Sequence, residues 1–201
     1  KKVIVINGSG INLNYFTKKS LPKTPLKFLL IARMLGNKGI REFAKAAEKI
    51  KNNNINVVFE LVGGVEVGSD AIPLDEIKDW ENKRILNWIG KVDDVRSYLT
   101  LCHVFVLPSY REGTPRTVLE AMATGRPIIT TNVPGCRHLI ENNKNGILIP
   151  PKSVKSLIDA MKLFIDKKVN LENMGNISYE LVKEQFDVYK VNKKIIEEIE
   201  K

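Results

Sequence analysis

The chain has 201 residues, 43% apolar and 27% charged, which fits one domain of ordinary size, or one domain with extensions at its ends, with enough apolar residues for a real core. No uninterrupted apolar run approaches the roughly 20 residues of a membrane-spanning helix, and the apolar stretch of KKVIVINGSG is too short for a secretory signal. The net charge of +9 suits an anionic partner such as nucleotide phosphates, nucleic acid or a membrane surface, but its lysines are scattered, and a solvated basic surface explains them equally well.

In chain order, the first 16 residues do not fit a strand–helix rhythm and read as a segment entering from elsewhere. KFLLIAR (27–33) is a strand-like run followed by a glycine loop. IREFAKAAEKI (40–50) then sets Ile40, Phe43, Ala44, Ala47 and Ile50 on one helical stripe. INVVFELVGG (55–64) is a second buried strand, and residues 65–82 read as an irregular polar segment. RILNWIG (84–90) is a third strand, and DDVRSYLTLC (93–102) a short helix started by Asp93 or Asp94.

Strand HVFVLPS (103–109), helix PRTVLEAMATG (115–125), strand RPIITT (126–131), a short helix near CRHLIEN (136–142) and strand NGILIPP (145–151) continue the alternation. Three helices close the chain, over 153–166, 171–186 and 188–201. Strands separated by helices predict an α/β domain: a Rossmann-like parallel sheet of about six strands with helices on both faces. Ligands bind such sheets beyond the carboxyl ends of the strands.

Three loops at those ends carry chemistry. ARMLGNKG (32–39) brings Arg33 and Lys38 to a helix start, where unpaired N–H groups and the helix dipole favour an anion. The pair suits a diphosphate; a solvated basic loop is the plain alternative. NWIGKVDD (87–94) places Val92 before two aspartates that can cap the next helix; its free backbone groups suit a flat base, but simple capping explains the loop better. In REGTPRTVLEAMATG (111–125), Thr114 reads as an N-cap and Pro115 as the first helical residue. Glu112 then lies in the loop and Glu120 about two turns into a largely buried helix. A buried glutamate needs partners. Sugar hydroxyls and Arg116, four residues back, answer that need equally well.

Other chemistries find little support. Cys102 and Cys136 form no CxxC and no Cys/His cluster of metal-ligand spacing, so they read as reduced, buried thiols of a cytoplasmic protein. GSGINL (8–13) lacks the third glycine and the acidic partner of a nicotinamide-binding loop. Nucleic-acid binding rests on charge alone, without stacking aromatics or a recognition helix. His103 and His138 read as structural.

Taken together, PSYREGTPRTVLEAMATGRPIITTNVPGCRHLIENNKNGILIPP (108–151), LLIARMLGNKGIREFAKAA, VVFELVGG and NWIGKVDDVRSYL resemble one family. It is the C-terminal domain of retaining, GT-B-fold glycosyltransferases of family four, closest to bacterial capsule, O-antigen and exopolysaccharide enzymes. The resemblance implies that Glu112 contacts the transferred sugar and Glu120 the ribose. Arg33 and Lys38 would bind the diphosphate, Val92 would pack the base, and the backbone of Gly113, Thr114, Pro115, Arg116 and Thr117 would meet sugar or phosphate. The donor it implies is a nucleotide sugar, UDP-linked, used without a metal or other cofactor. The acceptor is a glycan or lipid-linked oligosaccharide held by a second domain, and the enzyme would sit in the cytoplasm, peripheral to the membrane.

On the same resemblance, residues 1–16 are an interdomain connection, 17–186 the nucleotide-sugar-binding domain, and 187–201 a helix that crosses back to the second domain. Asn7-Gly8-Ser9-Gly10-Ile11-Asn12 is longer than the family's usual connection. His103 and His138 stand where the family favours aspartate and glutamate. Half of the active site would lie elsewhere, so the 201-residue chain is expected to fold but not to catalyse transfer. A stand-alone, non-catalytic nucleotide-sugar-binding module is the other reading.

Overall fold

The computed structural model describes residues 8–23, 25–53 and 56–200. Residues 1–7 of the connection, Ile55 of the second strand and Lys201 of the last helix lie outside the described residues. Six parallel strands form one sheet: β1 (Leu26–Ile31), β2 (Val57–Val62), β3 (Asn87–Gly90), β4 (Val104–Leu107), β5 (Ile128–Thr131) and β6 (Gly146–Ile149), in the order 3-2-1-4-5-6. The helices are α1 (Ile40–Lys51), α2 (Leu74–Asn82), α3 (Arg96–Leu101), α4 (Arg116–Ala123), α5 (Pro134–Arg137), α6 (Val154–Ile165), α7 (Leu171–Gln185) and α8 (Val188–Ile199).

The two-residue period of β1 explains the layers. Phe28 and Leu30 face a core built with Ile40 and Phe43 of α1 and Met161 and Phe164 of α6. Leu29 and Ile31 face a second core with Leu99 of α3, Val118 and Met122 of α4, and Val182 of α7. A strand buried on both faces reads as a continuous apolar run, and LKFLLI is one.

Several predicted boundaries move. The segment predicted as irregular contains α2, with Ile77 fully buried and Trp80 packed on the first core. Pro73 stands at its N-cap and only Leu74, Ile77 and Trp80 of the helix are apolar, so the helical period is too faint to read. β3 is confined to four residues, because Arg84 adopts a positive φ and turns the chain before it. α3 begins at Arg96 rather than at the aspartates. Asp93 caps nothing, whereas the Asp94 carboxylate accepts the Arg96 N–H at 2.9 Å and pairs with its guanidinium. α5 starts two residues early, at Pro134, which takes the first helical position it favours.

The described part of the leading segment is bonded to the domain at Ile11. The Ile11 N–H donates to Phe186 O at 2.7 Å, and Val188 N–H to Ile11 O at 3.0 Å. Arg126, wholly buried, donates to the carbonyls of Leu99, Thr100 and Ser20. It thus ties the open end of α3 to the stretch before β1, at Ser20.

His103 sits at the amino end of β4, across the sheet from the predicted site. Its Nδ1 accepts the Lys27 N–H at 3.1 Å, which leaves Nε2 to donate to Pro22 O at 3.0 Å. Burial, with the charges of Arg126 and Lys27, holds its pKa below the ordinary 6.5. The folded state therefore binds a proton less readily than the unfolded chain, and stability falls as pH drops below about 6.5. Resistance to urea is expected to weaken between about pH 7.5 and about pH 5.5, and less so in His103→Gln, whose amide does not titrate.

Candidate donor-binding site

Strands run outward from β1 in one direction to β3 and from β4 in the other to β6, so the chain order reverses between β1 and β4. The loop after β1 leads to α1 on one face, and the loop after β4 leads to α4 on the other. A crevice opens where they part.

The first loop is braced from both sides. A single 3₁₀ turn, Gly36–Lys38, follows β1 and ends at Gly39, whose φ is +72°. A side chain at Gly39 would also strike the Pro108 carbonyl, so only glycine lets the two loops meet there. Asp70 accepts the Gly36 N–H through its carbonyl at 2.7 Å and the Asn37 N–H through its carboxylate at 3.0 Å. From the other side, the Tyr110 N–H donates to Asn37 O at 2.8 Å. The Tyr110 hydroxyl, its pKa pushed up to about 12 by burial and by Glu42, donates to that carboxylate at 2.7 Å.

These ties bring Lys38 and Glu112 together. Lys38 Nζ lies 2.7 Å from Glu112 Oε1, with side chains only 19% and 12% exposed. The pair lines a cleft of about 200 Å³ with Arg33, Pro115, Arg116 and Thr117, floored by Ile31, Ala32 and Leu107. Arg33 is 67% exposed and 4.0 Å from Glu66, a loose surface pair that holds it little. Six of the predicted residues thus share one cleft.

The start of α4 differs from its prediction. Pro115 is the N-cap, extended at ψ 113°, Arg116 is the first helical residue, and no side chain caps the helix. Thr114 is therefore not the cap: the chain is still extended at Pro115, one residue further on. Among the described residues, nothing accepts a hydrogen bond from the N–H groups of Gly113, Thr114, Arg116 or Thr117. A helix N-terminus with open donors beside a lysine and an arginine favours an anion.

Glu120 lies beyond this cleft, 7% exposed, with its Oε1 accepting from Arg116 Nε at 3.1 Å. Burial raises its pKa and Arg116 opposes the rise. The internal partner weighed from spacing is therefore formed; Arg116, at 72% side-chain exposure, is held only from one side. Val92 does not line the cleft and packs half-buried on the second core. Cys102 and Cys136 are free and buried. Burial pushes the Cys102 thiol up to about 12. His138 is exposed, its Nδ1 3.1 Å from Pro134 O.

Residues 12–181 match the sequence profile of the family described as glycosyl transferases group 1. The chain belongs to that family. It is 33% identical over 201 residues, 92% of its length and 51% of the relative's, to the N,N'-diacetylbacillosaminyl-diphospho-undecaprenol alpha-1,3-N-acetylgalactosaminyltransferase of Campylobacter jejuni. It is 34% identical over 151 residues to the UDP-Gal:alpha-D-GlcNAc-diphosphoundecaprenol alpha-1,3-galactosyltransferase of Escherichia coli, covering 74% of the chain and 39% of the relative.

Among solved structures, the sucrose-phosphate synthase of Thermosynechococcus elongatus superposes with a TM-score of 0.83 at 23% identity, over 95% of this chain and 50% of that one. The group 1 chain therefore spans about half the length of these relatives, and its sheet is one Rossmann-like half of a GT-B fold.

Sequence reading missed Asp70 and Tyr110 as braces of the site. Asp70 lies 33 residues from the N–H it accepts, a distance at which no local pattern operates. Tyr110 adjoins the glutamate loop, and its position was the available signal. Replacing Arg116 by Ala should raise the pKa of Glu120 further, since the opposing charge is lost; carboxyl ¹³C shifts followed against pH read this directly.

Proposed function

We propose that this domain binds the nucleotide-sugar donor of a retaining glycosyltransferase that builds a bacterial surface glycan. The observation that carries the reading is the Lys38–Glu112 ion pair beside the uncapped start of α4, at the strand-order reversal. The donor diphosphate would meet Lys38, Arg33 and the open N–H groups of Gly113 to Thr117. An arriving diphosphate competes with Glu112 for Lys38 and frees that carboxylate to accept a hydroxyl of the transferred sugar. Glu120 then holds the ribose with its remaining oxygen, and the base packs towards Val92.

As the sugar–phosphate bond breaks, negative charge grows on the diphosphate. Two cations and a helix N-terminus preorganised at that point stabilise it without a metal ion. The donor we favour is a UDP-linked hexose or N-acetylhexosamine, and the acceptor a lipid-linked oligosaccharide bound by a second domain. One relative's name specifies UDP-Gal, and both curated relatives' names specify diphospho-undecaprenol acceptors. Such an acceptor places the enzyme in the cytoplasm, peripheral to the membrane; no helix among the described residues is long and apolar enough to cross one.

Calorimetry of the chain with UDP and a panel of nucleotide sugars tests the reading, and no binding of any of them would refute it. Glu120→Ala should weaken UDP binding by about 1.5–3 kcal/mol, the range for a hydrogen bond to a charged group. Unchanged affinity would remove Glu120 from the ribose. In the intact enzyme, Glu112→Gln should cut turnover more than it weakens UDP binding, as read by steady-state transfer kinetics.

A further inference from the structure

The loop bearing Glu112 lies against the short helix α5, and the contact falls on Gly135. A methyl group built there would overlap the carbonyl oxygens of both Glu112 and Gly113. These are backbone atoms and cannot swing aside as a flexible side chain can. Gly113 itself borders open space: nothing lies within 4 Å of where its side chain would begin.

α5 cannot retreat to make room. Cys136 and Leu139 are buried to 1% exposure or less. The Asn132 N–H donates to Ile149 O at 2.8 Å, and the Thr131 hydroxyl donates to Ser109 O. Any bulk added at Gly135 is therefore absorbed by the Glu112 loop.

The orientation of one peptide follows. Across a trans peptide the carbonyl and the next N–H point in opposite directions, and among the described residues there is no cis peptide. The Gly113 carbonyl meets α5 oxygen first, whereas the Glu112 carbonyl lies edge-on to it, so it is the Thr114 N–H that points away from α5. That N–H lacks an acceptor among the described residues.

We propose that Gly135 is a positioning residue for the donor diphosphate. By lacking a side chain it lets the loop close onto α5 with the Gly113 carbonyl turned towards it, and so turns the Thr114 N–H outward to extend the anion cradle at the start of α4. Gly135 touches no ligand. The inference rests on the proposed function, and it divides the donor: the outer phosphate depends on Gly135, while the nucleoside end, served by Glu120 and Val92, does not.

The test compares UMP and UDP binding by calorimetry for the chain and for Gly135→Ala, with thermal melting alongside. UMP affinity should stay within about threefold of the parent, whereas the preference for UDP over UMP should shrink by about tenfold or more. A role in packing alone would lower the melting temperature and leave that preference unchanged. An unchanged preference, or equal losses for both nucleotides, overturns the inference.

Should Gly135→Ala not fold, Thr114→Pro removes the outward donor without touching α5. It should lose the same preference, and its retention would overturn the inference. A parent chain that binds neither nucleotide refutes the proposed function and this inference with it, an outcome distinct from a failure confined to the variants.

Discussion

The two-sided burial of β1 is the constraint on which the rest depends. Its alternating residues fill two separate cores, so the strand must lie inside the sheet with helices above and below. Right-handed crossovers then carry the chain to β2 on one side and, later, to β4 on the other. The loops that leave β1 and β4 part to opposite faces, and the crevice between them is a geometric consequence. Arg33, Lys38 and Glu112 need only stand just after those two strands to meet there.

The carboxyl and amino ends of the sheet have opposite characters. At the carboxyl end, Lys38 and Glu112 are paired but reachable, and the helix start is open. At the amino end, charged and polar groups are held internally: Arg126 by three carbonyls, with its Nη1 buried and unpartnered among the described residues, His103 by two backbone partners, and Lys27 by Glu60 at 2.6 Å. Both ends hold buried polar groups, but the carboxyl end sets a run of open backbone donors beside a cleft. That difference separates a binding site from a structural network.

The strands, the major helices and the cleft residues were legible because each carries a local signal. The apolar run at 26–31, the stripe at 40–50 and the Glu-x7-Glu spacing need no knowledge of distant chain. What stayed hidden depends on long-range contact. α2 shows too few apolar residues to reveal its period, and Asp70 acts on a loop 33 residues away. Gly135 in VPGCR is ordinary in sequence; its meaning appears only when the carbonyls of a distant loop lie on it. The start of α4 misled for a different reason. Thr-Pro is good capping chemistry, yet Pro115 is still extended and the cap is left undone. Local rules fail most readily at working sites.

That uncapped start has a thermodynamic side. A side-chain cap on α4 would contribute about 1 kcal/mol to folding, and the helix does without it. The same backbone donors that leave the domain weaker when empty are free to bond an anion. Any ligand that binds them only in the folded state returns that stability through mass action. Folding strength and ligand affinity are therefore drawn from one set of N–H groups, and a change that secures the helix internally takes them from the ligand.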